Sequence, residues 1–141
     1  MEAVKKLKFE QTYLQPVVVY INGNYWGINE LRNRIDNDFL AEKYDINKDS
    51  INIIHPVYTE LLRAGTYEDF KPIYKYIVEN DLSVAEHYKY IESKIDITDI
   101  IDYYIAEIYF NNYDWPLNNI LFWNSLEYDG KYRSIFYDLD T

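Results

Sequence analysis

The chain contains no cysteine and only two histidines. Without thiols there is no disulfide framework and no thiolate metal site. His55 precedes a proline at the end of an apolar run, and His87 falls on a mid-chain helical pattern. Two histidines make a His-based metal site or a Ser-His-Asp triad improbable, and both read as surface or boundary residues. Basic residues are scarce. Lys and Arg number 14 against 24 Asp and Glu, a net charge of −10. The only cationic cluster is Lys5-Lys6-Leu7-Lys8. That balance argues against nucleic acid as a partner, because such binding rests on phosphate neutralisation. No run of roughly 18 apolar residues occurs, so no segment reads as a membrane-spanning helix.

What is present is a globular composition. Apolar residues make up 48% of 141 residues, which suits one domain or a piece of one. Aromatic side chains are abundant, with 17 Tyr, 3 Trp and 6 Phe. A Tyr-rich face can bind sugars or peptides. The plainer reading is that Tyr fills helix positions where other proteins use Leu or Phe, its polar tip left in water.

Met1–Leu14 reads as a short helix or an arm, broken by Gln15-Pro16. Val17–Ile21 is a β-branched run and reads as a buried strand. Asn22-Gly23 is a strong hairpin signal, since both residues accept positive φ. Tyr25–Ile35 is the return strand, and Gly27 within it suggests a bulge. Asp36 is placed to cap a helix carrying Phe39, Leu40 and Tyr44. Ile51–Ile54 reads as a short strand ended by His55-Pro56. The spacing of Val57, Leu61 and Leu62 suggests a brief helix, stopped at Gly65. Thr66 with Asp69 resembles an N-cap for a helix bearing Phe70, Ile73, Tyr74 and Ile77, provided it begins near Pro72.

Ser83 and Glu86 have capping-box spacing for a helix with Tyr88, Tyr90, Ile91 and Ile95. Asp96 or Thr98 opens the next helix. There Ile97, Ile100, Ile101, Tyr104, Ile105, Ile108 and Tyr109 recur at helical spacing. Asn119–Trp123 and Arg133–Tyr137 are strands joined through a turn at Asp129-Gly130. Trp26 and Trp123 read as core residues.

The helix runs into Asn112-Tyr113-Asp114-Trp115-Pro116-Leu117-Asn118-Asn119, and the last strand ends on Asp138 and Asp140. Carboxylates and amides therefore gather at the ends of regular elements, where chemistry usually sits. Asp114 and Asn119 have the D-x-x-x-x-N spacing of a kinase catalytic loop, and Asp138 follows two strands later, as a metal-binding Asp does there. The alternative is a polar turn and an Asx-type strand stop.

Four segments carry a family resemblance. Pro16–Gly27 (PVVVYINGNYWG) is similar to a hydrophobic strand followed by NGxYWG. Leu31–Leu40 (LRNRIDNDFL) is similar to LRExID…FL. Ile95–Tyr103 (IDITDIIDY) is similar to IDxxxFIDY. Asn112–Asn119 with Phe136–Asp140 (NYDWPLNN and FYDLD) resembles a catalytic loop followed by a hydrophobic-DLD segment. These are the signatures of the CotH kinase family, the spore-coat protein H relatives with an atypical protein-kinase fold, and the resemblance runs from about Gln15 to Asp140.

The resemblance implies an α+β, partial kinase-like fold: a β-hairpin from the N-lobe and a mostly helical C-lobe portion with a catalytic-loop β-hairpin. The chain then reads as a single incomplete domain, about 15–55 closing the N-lobe and about 56–141 opening the C-lobe. It also implies phosphoryl transfer from ATP to protein Ser or Thr with Mg²⁺ or Mn²⁺, in a bacterial surface, spore-coat or secreted setting. Asp114 would stand near the substrate hydroxyl, Asn119 or Asn118 would bind metal, and Asp138 would be the metal Asp, with Asp140 its rival.

Arg32 is a candidate for a phosphate contact, although an ion pair with an acidic neighbour is the commoner fate of such a residue. Trp115 and Pro116 would rigidify the loop. The family usually has Glu where this chain has Asn33, and Asn cannot pair with a phosphate-binding Lys. Two other readings stand beside this one. One is an inactive kinase-fold scaffold for adhesion or coat assembly. The other is a carboxylate-pair glycoside hydrolase, which needs carboxyl groups roughly 5–9.5 Å apart.

Overall fold

The computed structural model describes residues 6–12, 14–58 and 61–138. In chain order the elements are β1 (Glu10–Gln11), β2 (Leu14–Ile21), β3 (Asn24–Arg32), α1 (Asn37–Tyr44), β4 (Ile51–Ile54), β5 (Leu62–Ala64), α2 (Lys71–Glu79), α3 (Ala85–Glu92), α4 (Ile97–Phe110), β6 (Leu121–Ser125) and β7 (Arg133–Phe136). The architecture is mixed α+β, compatible with a kinase-like fold. Five strands form a sheet in the order β1-β7-β6-β4-β5, while β2 and β3 pair only with each other. All neighbours in the larger sheet are antiparallel except β1 and β7.

Every residue of β4 and β6 is buried, so this sheet must be covered on both faces. Side chains alternate along a strand, and two apolar clusters result. Phe122 and Phe136 point to the side where Phe70, Ile73, Ile91, Tyr103 and Ala106 of the α2–α4 segment pack. Leu121, Trp123 and Ile135 point to the other, against Leu40 of α1. Trp123 is core, as its sequence context suggests.

Local signals explain many boundaries. Asp36 caps α1 by accepting from the Phe39 N–H at 3.0 Å, and Asp96 caps α4 by accepting from the Asp99 N–H at 3.3 Å. Pro72 sits in the first turn of α2, where its missing N–H costs nothing. The ribbon carries its extra residue beside Gly27. Val19 lies opposite Gly27 and Tyr20 opposite Tyr25, leaving Trp26 as a bulge.

Other expectations are corrected. Glu10–Gln11 is a strand against β7, not part of a helix, although Met1–Lys5 lie outside the described residues. Val17–Ile21 is a strand but not a buried one, and Trp26 is 68% exposed. The ribbon has no third strand or helix packed on it to cover these side chains among the described residues. Leu62–Ala64 is a strand paired with β4, not a helix. There, pairing to the edge of β4 overrides a weak helical spacing. Ser83 forms no capping box. Val84 occupies the N-cap position without a side-chain bond, and the Ser83 N–H donates to Asp81 in a turn of its own. Thr66 likewise closes a turn with the Glu68 N–H, not the helix start.

The helix with the strongest apolar pattern is also rotated from that pattern. Ile101, Ile105, Ile108 and Tyr109 are exposed, while Asp99, Tyr103, Ala106 and Glu107 are buried. Two of the four buried positions are acids. Asp99 explains its own burial. Its Oδ1 accepts from both the backbone N–H and the hydroxyl of Ser134 on β7, each at 2.6 Å. This ties α4 to the strand that leads to Asp138.

Gly65 is required where it stands. Its φ is +71°, and an added Cβ would lie 2.1 Å from Asn52 Oδ1 and 2.6 Å from the Ile51 carbonyl oxygen. Gly65→Ala should therefore destabilise the fold by about 2–4 kcal/mol in urea denaturation, combining left-handed strain and overpacking. Asp99 supplies a second test. Burial raises its pKa to about 7, so the folded chain holds a proton that the unfolded chain releases near pH 4. Stability from this group is fully present below about pH 4 and is lost as pH rises through 7, by up to a few kcal/mol. Asp99→Asn keeps an oxygen acceptor for Ser134 and cannot titrate. Its stability should gain on the unsubstituted protein between pH 4.5 and pH 8; a constant difference would contradict the buried-proton account.

Candidate functional site

The site begins where α4 ends. Asn111 adopts the left-handed conformation, and its N–H bonds back to the Glu107 and Ile108 carbonyls. The Asn112 N–H also reaches the Glu107 carbonyl, at 3.2 Å. This stop turns the chain sharply and releases the 112–119 loop ahead of β6, the central strand of the sheet. The loop is internally braced. The Asn118 N–H donates to the Asp114 carbonyl at 2.8 Å, and the Trp115 ring packs edge-on against Tyr104 and Tyr103, at 4.9 and 6.4 Å between centroids. The Trp115-Pro116 peptide is cis.

β6 then carries the chain away, and β7 returns it to Tyr137 and Asp138 beside the loop. The two ends are stitched together. Asn119 Nδ2 donates to the Asp138 carbonyl at 3.1 Å, and Asn112 Nδ2 reaches the same oxygen at 3.3 Å. The Tyr103 hydroxyl donates to the Asn119 carbonyl at 3.0 Å.

A cavity of about 460 Å³ opens at this junction. Asp114, Asn118 and Asn119 line it from the loop, Leu121 from β6, Tyr137 and Asp138 from the end of β7, His55 and Leu61 from the β4–β5 connection, and Leu62 and Arg63 from β5. The structure thus brings Asp114, Asn118, Asn119 and Asp138 into one pocket. Arg32 does not line it. Its guanidinium pairs with Glu30 at 2.6 Å and lies 3.8 Å from Asp138 Oδ1, so it sits behind that carboxylate. Asp140 lies outside the described residues. Trp115 is half-buried against the core and Pro116 is exposed on the loop.

Two basic lining residues, His55 and Arg63, have no counterpart among the sequence candidates. His55 is 4% exposed, a correction to its reading as a surface or boundary residue. Its Nδ1 accepts from the Val57 and Tyr58 N–H groups at 3.3 and 3.0 Å, which leaves the proton on Nε2. Burial lowers its pKa, opposed by the Leu117 backbone nearby, so the ring is neutral at pH 7. Arg63 stacks over the Tyr137 ring, 5.4 Å from its centroid, and makes no ion pair among the described residues. Both reach the pocket because β5 pairs with β4. A sequence reading that made Leu61–Leu62 helical had no way to place them.

The donor set is oxygen-rich and hard: two carboxylates and two side-chain amides. Among the described residues no group of three His, Asp or Glu side chains stands close enough to hold a metal. Mg²⁺ does not need one, because it commonly takes one or two carboxylates and completes its shell with water and substrate phosphates. Asn119 uses its amide N–H on Asp138, and its side-chain oxygen remains for a cation. The residues present fit such an ion.

Comparison with curated proteins and with solved structures finds no match to either. A family model described as CotH kinase protein matches residues 1–141, the whole chain. The chain belongs to the CotH kinase family.

Proposed function

We propose that this chain carries the metal-binding and catalytic half of an ATP-dependent protein kinase site. The observation that supports it is the convergence of Asp114, Asn118, Asn119 and Asp138 on one cavity, in a chain whose family is that of CotH kinases. Phosphoryl transfer asks the protein mainly for positioning and for neutralisation of charge. A divalent cation bound there would supply the neutralisation. Asp138 and Asn119 would hold it, with Asn118 or Asp140 as further oxygen donors.

Asp114 would face the hydroxyl of a Ser or Thr side chain and accept its proton. Arg63 is the pocket's own cation. Stacked on Tyr137, it is placed to meet a phosphate oxygen at the pocket mouth, a role for which Arg32 is already engaged with acids. Neutral His55 can donate from Nε2 but adds no charge.

Calorimetry of ATP with Mg²⁺ or Mn²⁺ on the full-length protein tests this. Metal-dependent binding is expected. In Asp138→Asn it should weaken at least tenfold. Asn suits that position because Asp138 has a φ of 61°, a left-handed conformation that Asn tolerates. Asp114→Asn should bind ATP nearly as well while losing about 10²–10⁴ in phosphate transfer. Absence of metal-dependent binding in the unsubstituted protein would overturn the kinase reading and leave a kinase-shaped scaffold.

A further inference from the structure

Glu107 is 1% exposed and has no cation paired with it among the described residues. A carboxyl group in such a place costs free energy that an apolar side chain of the same size would not. Its contacts indicate what it does there. Oε2 accepts from Asn112 Nδ2 at 2.8 Å. That same amide nitrogen has a second N–H, and it reaches the Asp138 carbonyl at 3.3 Å. Glu107 therefore fixes the rotation of the Asn112 amide, and the amide holds the backbone of Asp138.

One turn earlier on the same face of α4, buried Tyr103 grips the Asn119 carbonyl. Asn119 and Asp138 have φ values of 55° and 61°. Asn and Asp enter that conformation at little cost, and here hydrogen bonds from Tyr103 and Asn112 hold both backbones in it. Both residues are candidates for cation binding; Tyr103 on the buried face of α4 holds the first directly, and Glu107 on that face reaches the second through Asn112.

We propose that Glu107, acting through Asn112, is a positioning residue that aims Asp138 into the pocket. The purpose of that aim rests on the kinase reading above; the mechanical link does not. Glu107→Gln keeps an oxygen facing Asn112. Glu107→Leu removes it at similar volume.

The test reads two properties of the full-length protein. The first is the side-chain amide resonances of Asn119 and the carbonyl ¹³C shift of Asp138, neither of which belongs to a group bonded to Glu107. Both should move in Glu107→Leu and stay near their original positions in Glu107→Gln. The second is metal-dependent ATP affinity, expected to fall at least tenfold in the Leu variant and to be restored within about threefold by Gln, with the urea midpoint of the Leu variant not lowered. If Glu107→Leu does not fold, Asn112→Ala breaks the same relay and leaves Glu107 in place.

Unmoved Asn119 and Asp138 resonances in a folded Leu or Ala variant would overturn the positioning role, whatever ATP does. Unchanged ATP affinity in a folded variant whose resonances did move would overturn the aim into the pocket. Resonances that move as expected in a protein that binds no ATP at all would uphold the link and reject the kinase reading, so the two failures remain distinct.

Discussion

The carbonyl oxygen of Asp138 is the point on which the site depends. It belongs to the end of a strand, yet its donors come from elsewhere: Asn112 just past the end of α4, and Asn119 at the far side of the loop. Three stretches of chain, separated by a loop and a hairpin, are brought to one atom. A carbonyl has two lone pairs, and here both are used. The carboxylate of the same residue has Arg32 within 3.8 Å. The backbone is held by amides, and the same residue lines the pocket.

That arrangement needs a rigid platform, and the five-stranded sheet provides it. β6 and β7 are covered on both faces, so the strands that lead from Asn119 and to Asp138 are packed into the core. The Asp99–Ser134 bonds fasten α4 to β7 from inside, which couples the helix that launches the loop to the strand that ends at Asp138. The β2–β3 ribbon is different in kind. It is a two-stranded unit with apolar side chains exposed on both strands, and such a ribbon alone is marginal in water.

How much of this was legible in the sequence depends on the range of the interaction. Caps and turns rest on side chains within a few residues, and Asp36, Asp96, Asn22-Gly23 and Pro72 could be read directly. The loop and Asp138 could be read because their spacing matches a known constellation. Long-range pairing could not. Nothing local at Leu62–Ala64 says that it will find β4, so His55 and Arg63 stayed outside the expected site. The rotation of α4 was hidden for a similar reason. An apolar stripe predicts the buried face, but here Asp99 and Glu107 bind polar groups on the buried face while Ile101, Ile105, Ile108 and Tyr109 stay exposed. Ser83 and Glu86 had the right spacing for a capping box, yet Asp81 claimed the Ser83 N–H first. Where two local signals compete, spacing alone does not choose between them.

The charge of the chain bears on the proposed chemistry. A protein with a net charge of −10 repels a polyphosphate, and a pocket built from several carboxylates would add to that. This pocket has two carboxylates among its described residues, with the remaining oxygen donors supplied by Asn118 and Asn119. An amide oxygen binds a hard cation without adding negative charge. It also carries an N–H that can brace the backbone, as Asn119 does for Asp138. Arg63 adds a positive charge to the lining, and its guanidinium stacks on Tyr137. Amides in place of further acids therefore serve both needs of the site, holding its shape and keeping its field weak enough for an anion to enter.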